Sequence, residues 1–145
     1  MNWKEEAKRE LRAYAYLKES LPNIRSRLEG IRSRKISLKS SVGDPTPVQG
    51  GGNHYEDRLL DLIVEEERLK HTYRADKIRL GLIERGLQAL TDSERQVLEI
   101  FAENKAGRAV DLLRDLTGYE QAQIYRIYGD AIYKFTLAEY GIPEF

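Results

Sequence analysis

No cysteine occurs among the 145 residues of the chain, which excludes disulfide scaffolds and thiolate–metal sites. Long hydrophobic runs are also missing, because no apolar stretch approaches the roughly 20 residues that span a bilayer. The first six residues carry mixed charge and contain no apolar core segment, so we expect no secretory signal. These absences favour a cytoplasmic protein that has no membrane partner.

Net charge is absent as well, since 24 Lys and Arg balance 24 Asp and Glu, but the charges are unevenly placed. Residues 1–40 carry 11 Lys and Arg against 5 Asp and Glu, a balance of +6. Residues 41–90 carry 7 against 9, and residues 91–145 carry 6 against 10, a balance of −4. The basic surface is therefore expected near the N-terminus, whereas a nucleic-acid-binding face usually clusters Lys and Arg.

Two long segments have the hydrophobic spacing of helices that pack against a partner helix. Apolar residues recur on alternating four- and three-residue steps, about 3.5 on average, which keeps one narrow stripe along each helix. The first stripe consists of Tyr14, Leu17, Leu21, Ile24, Leu28, Ile31 and Leu38, with Lys35 in the remaining slot. The second, in a helix from about His54 to Leu90, consists of Tyr55, Leu59, Leu62, Leu69, Tyr73, Leu80, Ile83, Leu87 and Leu90.

Proline interrupts the first of these segments. Pro22 lacks a backbone donor and its ring clashes with the carbonyl of Lys18, which costs about 3 kcal/mol in a helix interior. We therefore expect a kink or a break near Ser20 and Leu21. Because the stripe continues in phase beyond it, two helical pieces on one bent axis are favoured.

A linker at residues 40–53, with two prolines and three consecutive glycines, allows the chain to reverse direction. Residues 1–90 are therefore predicted to form a long, coiled-coil-like antiparallel helical hairpin. Glu66 and Asp76 would lie in its seam, either paired with Lys35 or an arginine of the first helix, or hydrated, and a hydrated seam is favoured. Because so narrow a stripe buries little surface, we expect a homo-oligomer formed through the hairpin.

Residues 91–145 have the pattern of a small head of three helices. Thr91 and Glu94 form a capping-box pattern that begins the first helix. A loop is expected at Asn104–Gly107, and Gly118 is the residue most easily placed at positive φ after the second helix. The predicted inner faces consist of Val97, Leu98 and Phe101, then Ala109, Leu112, Leu113 and Leu116, then Ile124, Tyr128, Ala131 and Phe135.

Several segments of this head carry a resemblance to a known family. They are Ser-Glu-Arg-Gln-Val-Leu at Ser93–Leu98, the unit Asp111–Gly118, the segment Ile124–Ala131, and the pair Tyr140-Gly141. Across residues 91–140 the chain resembles region 4 of bacterial sigma-70-type factors, in the version carried by phage late-gene transcriptional regulators of the ArpU/RinA-like group. The resemblance implies an all-α chain in which the hairpin of residues 1–90 precedes a helix-turn-helix domain at 91–145.

What the resemblance implies about function is a phage or prophage regulator in a bacterial host cell that binds double-stranded DNA, with RNA polymerase as a further partner. The recognition helix corresponds to Glu120–Lys134. The implied base-contact candidates on its outer side are Gln121, Gln123, Tyr125 and Arg126, since glutamine pairs with adenine and arginine with guanine. The phosphate-contact candidates are Arg108 and Lys134.

The basic N-terminal segment has two interpretations. Its cations, Arg32 and Arg34 among them, are spread around the apolar stripe, which is typical of a solvated helix face. The functional alternative is that Arg32 and Arg34 supply the phosphate contacts that the acidic head lacks.

Two other functional classes also fit this organisation. A small terminase-like DNA-packaging factor of a phage also joins a helix-turn-helix to oligomerising helices, and a protein–protein interaction module would need no DNA. Catalysis is not expected, because His54 and His71 are seventeen residues apart without companion ligands, and no nucleophile–base pair is apparent. We expect neither a metal nor a cofactor.

Overall fold

The computed structural model describes residues 2–41 and 54–141, and within these ranges the protein is all-α, as predicted. The five helices, in chain order, are α1 (Trp3–Ser41), α2 (His54–Gln88), α3 (Asp92–Glu103), α4 (Ala106–Thr117) and α5 (Gln121–Tyr140). The predicted linker at 40–53 lies outside the described residues from position 42 onward, and its first two residues belong to α1. No strand occurs in the described ranges.

The described residues divide into two compact units. The larger unit contains the residues up to Lys18 and those from Ile78 onward, and the smaller unit runs from Glu19 to Lys77. Each unit therefore takes a part of both long helices. The prediction of separate domains at 1–90 and 91–145 stays a prediction.

Pro22 does not break α1, contrary to the prediction of two helical pieces. The helix is one element from Trp3 to Ser41 with the proline inside it. Pro22 and Lys18 are both exposed, so the backbone carbonyl that loses its donor belongs to a residue at the surface and not in the core, where an unpaired polar group costs most.

The smaller unit is built around a cluster of three buried residues, Ile24, Ile31 and Leu69. All of them belong to the predicted stripes, which contain no exposed member among the described residues. The stripe spacing therefore predicted correctly which face of each helix is buried.

An ion pair lies beside this apolar cluster, where a hydrated seam was favoured. Lys35 Nζ lies 3.2 Å from Glu66 Oε1, and Lys70 Nζ lies 3.4 Å from the same oxygen. The hydrogen bond from Lys35 holds the pKa of Glu66 below its ordinary value, against the opposing effect of burial. The favoured interpretation was wrong for Glu66, because its side chain is only 15% exposed and Lys35 is long enough to reach it.

The larger unit has its main core where the start of α1 and the end of α2 meet α3 and α5. Its buried members are Ala7, Leu11, Leu17, Ile83, Leu87, Leu90, Leu98, Ala131, Ile132 and Phe135. Phe135 packs against the backbone of Gly86, where a Cβ atom would lie only 2.7 Å from the phenyl ring. Trp3 and Tyr140 add a second contact between α1 and α5, with their ring centroids 5.0 Å apart. The last helix is therefore held along its C-terminal half by both long helices.

A charged cluster lies beside this core. Arg79 Nε donates to both carboxylate oxygens of Glu10, at 2.7 and 3.0 Å. Glu139 faces the same groups, and its Oε2 is buried without a hydrogen-bond partner among the described residues. Burial, with a smaller contribution from the Glu10 carboxylate, raises the pKa of Glu139 to about 7.

We predict that Gly86→Ala lowers the free energy of unfolding by about 1–3 kcal/mol, because the new methyl group overlaps the Phe135 ring. The matched control is Gly81→Ala in the same helix, where nothing lies within 4 Å of the added Cβ. That control should raise stability by about 0.5–1 kcal/mol through helix propensity. Urea denaturation measures both, and equal stabilisation in the two variants would contradict the close packing of α5 on α2.

A second prediction concerns pH and Glu139. In the folded chain its carboxyl stays protonated up to about pH 7, whereas the unfolded carboxyl ionises near 4.5. Stability is therefore lost as pH rises from about 4.5 to 7. Glu139→Gln removes this loss and should be more stable than the parent by about 1–3 kcal/mol at pH 8, with no gain at pH 4. Urea melts across this range measure the difference, and a pH-independent difference would contradict it. Glu10→Gln, the control, should instead destabilise at pH 8 because it replaces the charged partner of Arg79 by a neutral amide.

Candidate nucleic-acid interface

The first helix of the C-terminal head begins at the predicted capping box. Thr91 Oγ1 accepts a hydrogen bond from the Glu94 N–H at 3.2 Å, and Glu94 Oε1 accepts one from the Thr91 N–H at 3.1 Å. The two backbone donors that open α3 are thus satisfied reciprocally, which confirms the prediction. This fixes the start of α3, and only three residues separate it from the end of α2.

The second helix of the head differs from its prediction in two respects. It begins at Ala106, so the loop after α3 is shorter than the expected Asn104–Gly107. Leu116, predicted to face inward, is 62% exposed, while Val110 is buried. The inner face of α4 is therefore centred between Ala109 and Val110, about a sixth of a turn (roughly 60°) from where the leucine pattern placed it.

A tight turn separates α4 from α5. Gly118 has φ +73°, in the left-handed region, and its N–H donates to the Arg114 carbonyl, which confirms the role predicted for this glycine. Thr117 Oγ1 lies 2.6 Å from the Leu113 carbonyl, to which it donates, and it accepts from the Tyr119 N–H at 3.2 Å. The carbonyls of Leu113 and Arg114 thus gain hydrogen bonds at the end of α4, and α5 begins at Gln121, close to the predicted start.

The three helices share a small core of their own. Val97, Val110, Leu113 and Ile124 are buried in it. Tyr128, which was predicted to pack, stacks on Phe101 with ring centroids 4.2 Å apart. Of the predicted inner positions of α5, Ile124, Ala131 and Phe135 are fully buried, and Tyr128 is half-buried.

The first turns of α5 present the four base-contact candidates to solvent. Gln121, Gln123, Tyr125 and Arg126 are all exposed. Arg126 lies on the side of the helix roughly opposite the buried Ile124, Gln123 and Tyr125 lie on its two flanks, and Gln121 is exposed in the first turn. Tyr125 is partly held in place, since it is 42% exposed and its ring centroid lies 5.9 Å from that of Phe101. The polar side chains of this surface are therefore accessible to a partner. The Tyr125 ring is accessible as well, but one side of it packs against Phe101.

The phosphate-contact candidates lie in different surroundings. Arg108 is exposed in the first turn of α4. Lys134 Nζ lies 2.9 Å from Glu94 Oε2, so it bridges α5 to the cap of α3. This hydrogen bond lowers the pKa of Glu94, whose side chain is only 10% exposed. A phosphate would have to compete with this buried carboxylate for Lys134.

Arg32 and Arg34 are exposed on α1 in the smaller unit. Arg34 lines an open groove of about 580 Å³ with Arg58, the acidic Asp61 and Glu65, and the apolar side chains of Leu38 and Leu62. These cations are therefore accessible to a polyanion from solvent.

An acidic groove beside the turn was missed by the sequence analysis. Asp111, Asp115 and Glu120, with Arg114, line an open groove of about 430 Å³ next to Gly118 and Tyr119. The −4 balance of residues 91–145 was its signal, but composition does not place charge on a surface. The first turns of α5 thus expose polar side chains, and carboxylates lie next to them.

Within residues 2–41 and 54–141, no group of three or more His, Cys, Asp or Glu is placed to hold a metal ion. No helix in the same ranges combines the length and the apolar character needed to cross a membrane.

Comparison of the chain with protein-family models, with curated proteins and with solved structures finds no match.

Proposed function

We propose that the protein is a phage or prophage DNA-binding transcription regulator, in which α3, α4 and α5 act as a sigma region 4-like helix-turn-helix. In this proposal the two long helices form an antiparallel hairpin that carries the head and contacts a second copy or RNA polymerase. The supporting observation is the exposure of Gln121, Gln123 and Arg126 on a helix that directly follows the Gly118 turn. A helix in that position is the one that enters the major groove in helix-turn-helix proteins.

The side chains on this helix suit the reading of base edges. Glutamine can donate to and accept from adenine in the major groove, and arginine can donate twice to guanine. Gln123 and Arg126 are three residues apart and therefore share one side of α5. Their pairing with neighbouring bases would give specificity, while Tyr125 would contribute an apolar edge for a thymine methyl group.

Affinity needs cations as well as base contacts, because phosphate neutralisation dominates protein–DNA affinity. The head offers few, since Lys134 is engaged by Glu94 and carboxylates lie near the start of α5. In the proposal Arg108 contributes from the head, and Arg32 with Arg34 contributes from α1. A regulator with so few phosphate contacts would depend on avidity between two linked heads.

The base-reading role is tested by the double variant Gln123→Ala with Arg126→Ala. We expect the ratio of its affinities for selected and unrelated duplexes, measured by gel shift, to fall by about tenfold or more. Each good base contact contributes about 1–3 kcal/mol of discrimination between bases. The matched control is Gln96→Ala with Arg114→Ala, which removes an exposed glutamine and arginine from α3 and α4. Selection of duplexes from a randomised pool provides the DNA. Unchanged selectivity in the first double variant, with helicity intact, would contradict the assignment of α5.

A different signature is expected for the α1 cations. Neutralising Arg32 and Arg34 to Gln should weaken binding to all sequences alike and reduce the slope of log affinity against log salt by about 2. The control neutralises Arg9 and Arg12, which changes the net charge equally at another part of α1. Salt titrations by fluorescence anisotropy measure the slope. An unchanged slope in the variant Arg32→Gln with Arg34→Gln would show that these residues make no phosphate contacts and only form a solvated helix face.

The acidic groove favours one alternative, a protein–protein interaction module. Asp111, Asp115 and Glu120 would repel a phosphate backbone and attract a basic partner. The same anisotropy experiment separates the two functions, because a pure interaction module would not bind duplex DNA even at low salt.

A further inference from the structure

The side of α2 that faces away from its buried stripe carries a second, exposed row of apolar residues. Leu60, Val64, Ile78 and Leu82 are 58%, 59%, 67% and 39% exposed. At about 100° per residue, these four positions and His71 lie within about 20° of the direction opposite Leu62. Large aliphatic side chains left in water along one line of a helix mark a binding surface.

This row is symmetric in sequence about His71. Val64 and Ile78 lie seven residues on either side of His71, and Leu60 and Leu82 lie eleven residues on either side. Glu67 and Ala75, four residues on either side, complete the row. A row of this kind is self-complementary, because an antiparallel copy turned about His71 places Val64 on Ile78 and Leu60 on Leu82.

The charges at the edge of the row follow the same symmetry. When two copies of α2 pack antiparallel about a two-fold axis, one edge of the row in the first copy lies beside the same edge in the second copy. The residue numbers along these two edges increase in opposite directions. Glu67 lies four residues before His71 and Arg74 three after it, on one edge. Glu56, fifteen before, and Arg85, fourteen after, lie on this edge as well. Each acid of one copy is thus placed beside a base of the other, and all four side chains are exposed.

The N-terminal half of α2 is acidic and the C-terminal half is basic, as an antiparallel pair of these helices requires. From His54 to Glu67 the helix has six acidic residues and one basic residue, whereas from Arg68 to Gln88 it has six basic and two acidic. A parallel pair would align acid with acid, but an antiparallel pair aligns acid with base. Glu67 is held only weakly within its own chain, 3.9 Å from Lys70 Nζ.

We propose that the occupant of this face is a second copy of the chain, paired antiparallel through α2 about a two-fold axis at His71. The inference deepens the proposed function, since it specifies the self-association that the regulator would use, but it depends on α2 alone. It does not involve α5, and it holds or fails without DNA.

The absence of native cysteine allows a direct test at the axis. His71→Cys introduces a single thiol that would lie opposite its own copy, within the Cα separation of about 4.4–6.8 Å that a disulfide needs. Under mild oxidation at micromolar concentration, most of this variant should become a covalent dimer. Ser26→Cys, an exposed position of α1, is the control and should remain largely monomeric on a non-reducing gel. Equal cross-linking of the two variants would overturn the proposal.

Charge reversal tests the orientation independently. Glu67→Arg and Arg74→Glu each place like charges together at two symmetric points, and each should weaken the dimer by about tenfold or more in sedimentation equilibrium. The double reversal restores both pairs and should recover the parent dimer. All three variants change exposed residues, so circular dichroism should be unchanged. Failure of the double variant to recover, with both single variants weakened, would exclude the antiparallel register.

The outcome for assembly is separable from the outcome for DNA. A monomer at all concentrations, or a ring of eight or more subunits, would overturn the two-fold pair, and the ring would favour a packaging factor. Sequence selectivity that depends on Gln123 and Arg126 would still hold in a monomer. Conversely, a dimer through α2 that binds no DNA would leave this inference intact and remove the proposed regulator.

Discussion

The contact between Phe135 and Gly86 is the constraint on which the larger unit depends. The phenyl ring is fully buried and occupies the space in which any other residue at position 86 would place a side chain. It holds the C-terminal half of α5 against the end of α2, while Trp3 and Leu11 bring the start of α1 to the same core. Because one end of α5 is fixed in this way, its other end can present polar side chains to solvent without loss of packing.

Polar interactions in the larger unit serve mainly to join helices. Lys134 connects α5 to the capped start of α3 through Glu94, and Arg79 connects α2 to Glu10 of α1. Lys134 is less available to phosphate because it is engaged in this way. The other exposed cations of the head share its surface with carboxylates such as Asp111, Asp115 and Glu120, which explains why the head has little net positive charge. Further exposed cations lie on α1 and on the second half of α2. In the proposed DNA-binding role, cations outside the head would add to the few that the head offers.

Local signals in the sequence predicted local structure well. The capping box at Thr91 and the positive φ of Gly118 depend on a few neighbouring residues, and both were found as expected. The narrow apolar stripes identified the buried faces because helical periodicity is a property of each segment alone. The exposure of Gln121, Gln123 and Arg126 was expected from the family resemblance, and all three are exposed.

Features that depend on tertiary surroundings were not predictable. α1 continues through Pro22 although the proline removes a backbone donor, and the pairing of Glu66 with Lys35 depends on the register of two segments. The inner face of α4 turned toward Val110 because its neighbours decide which side is covered, and Leu116 was left exposed. The position of Glu139 beside Glu10 joins residues 129 positions apart, which no local pattern encodes.

In the function proposed for this protein, a small trihelical head reads DNA with the first turns of α5, and pairing of two chains strengthens a contact that one chain makes weakly. Backbone amide NMR of the chain, titrated at low salt with duplexes selected from a randomised pool, is the decisive measurement. We expect the largest shift changes at Gln121 to Arg126, with smaller ones at Arg108 and at Arg32 and Arg34. Shift changes confined to other surfaces, or none at saturating DNA, would contradict it.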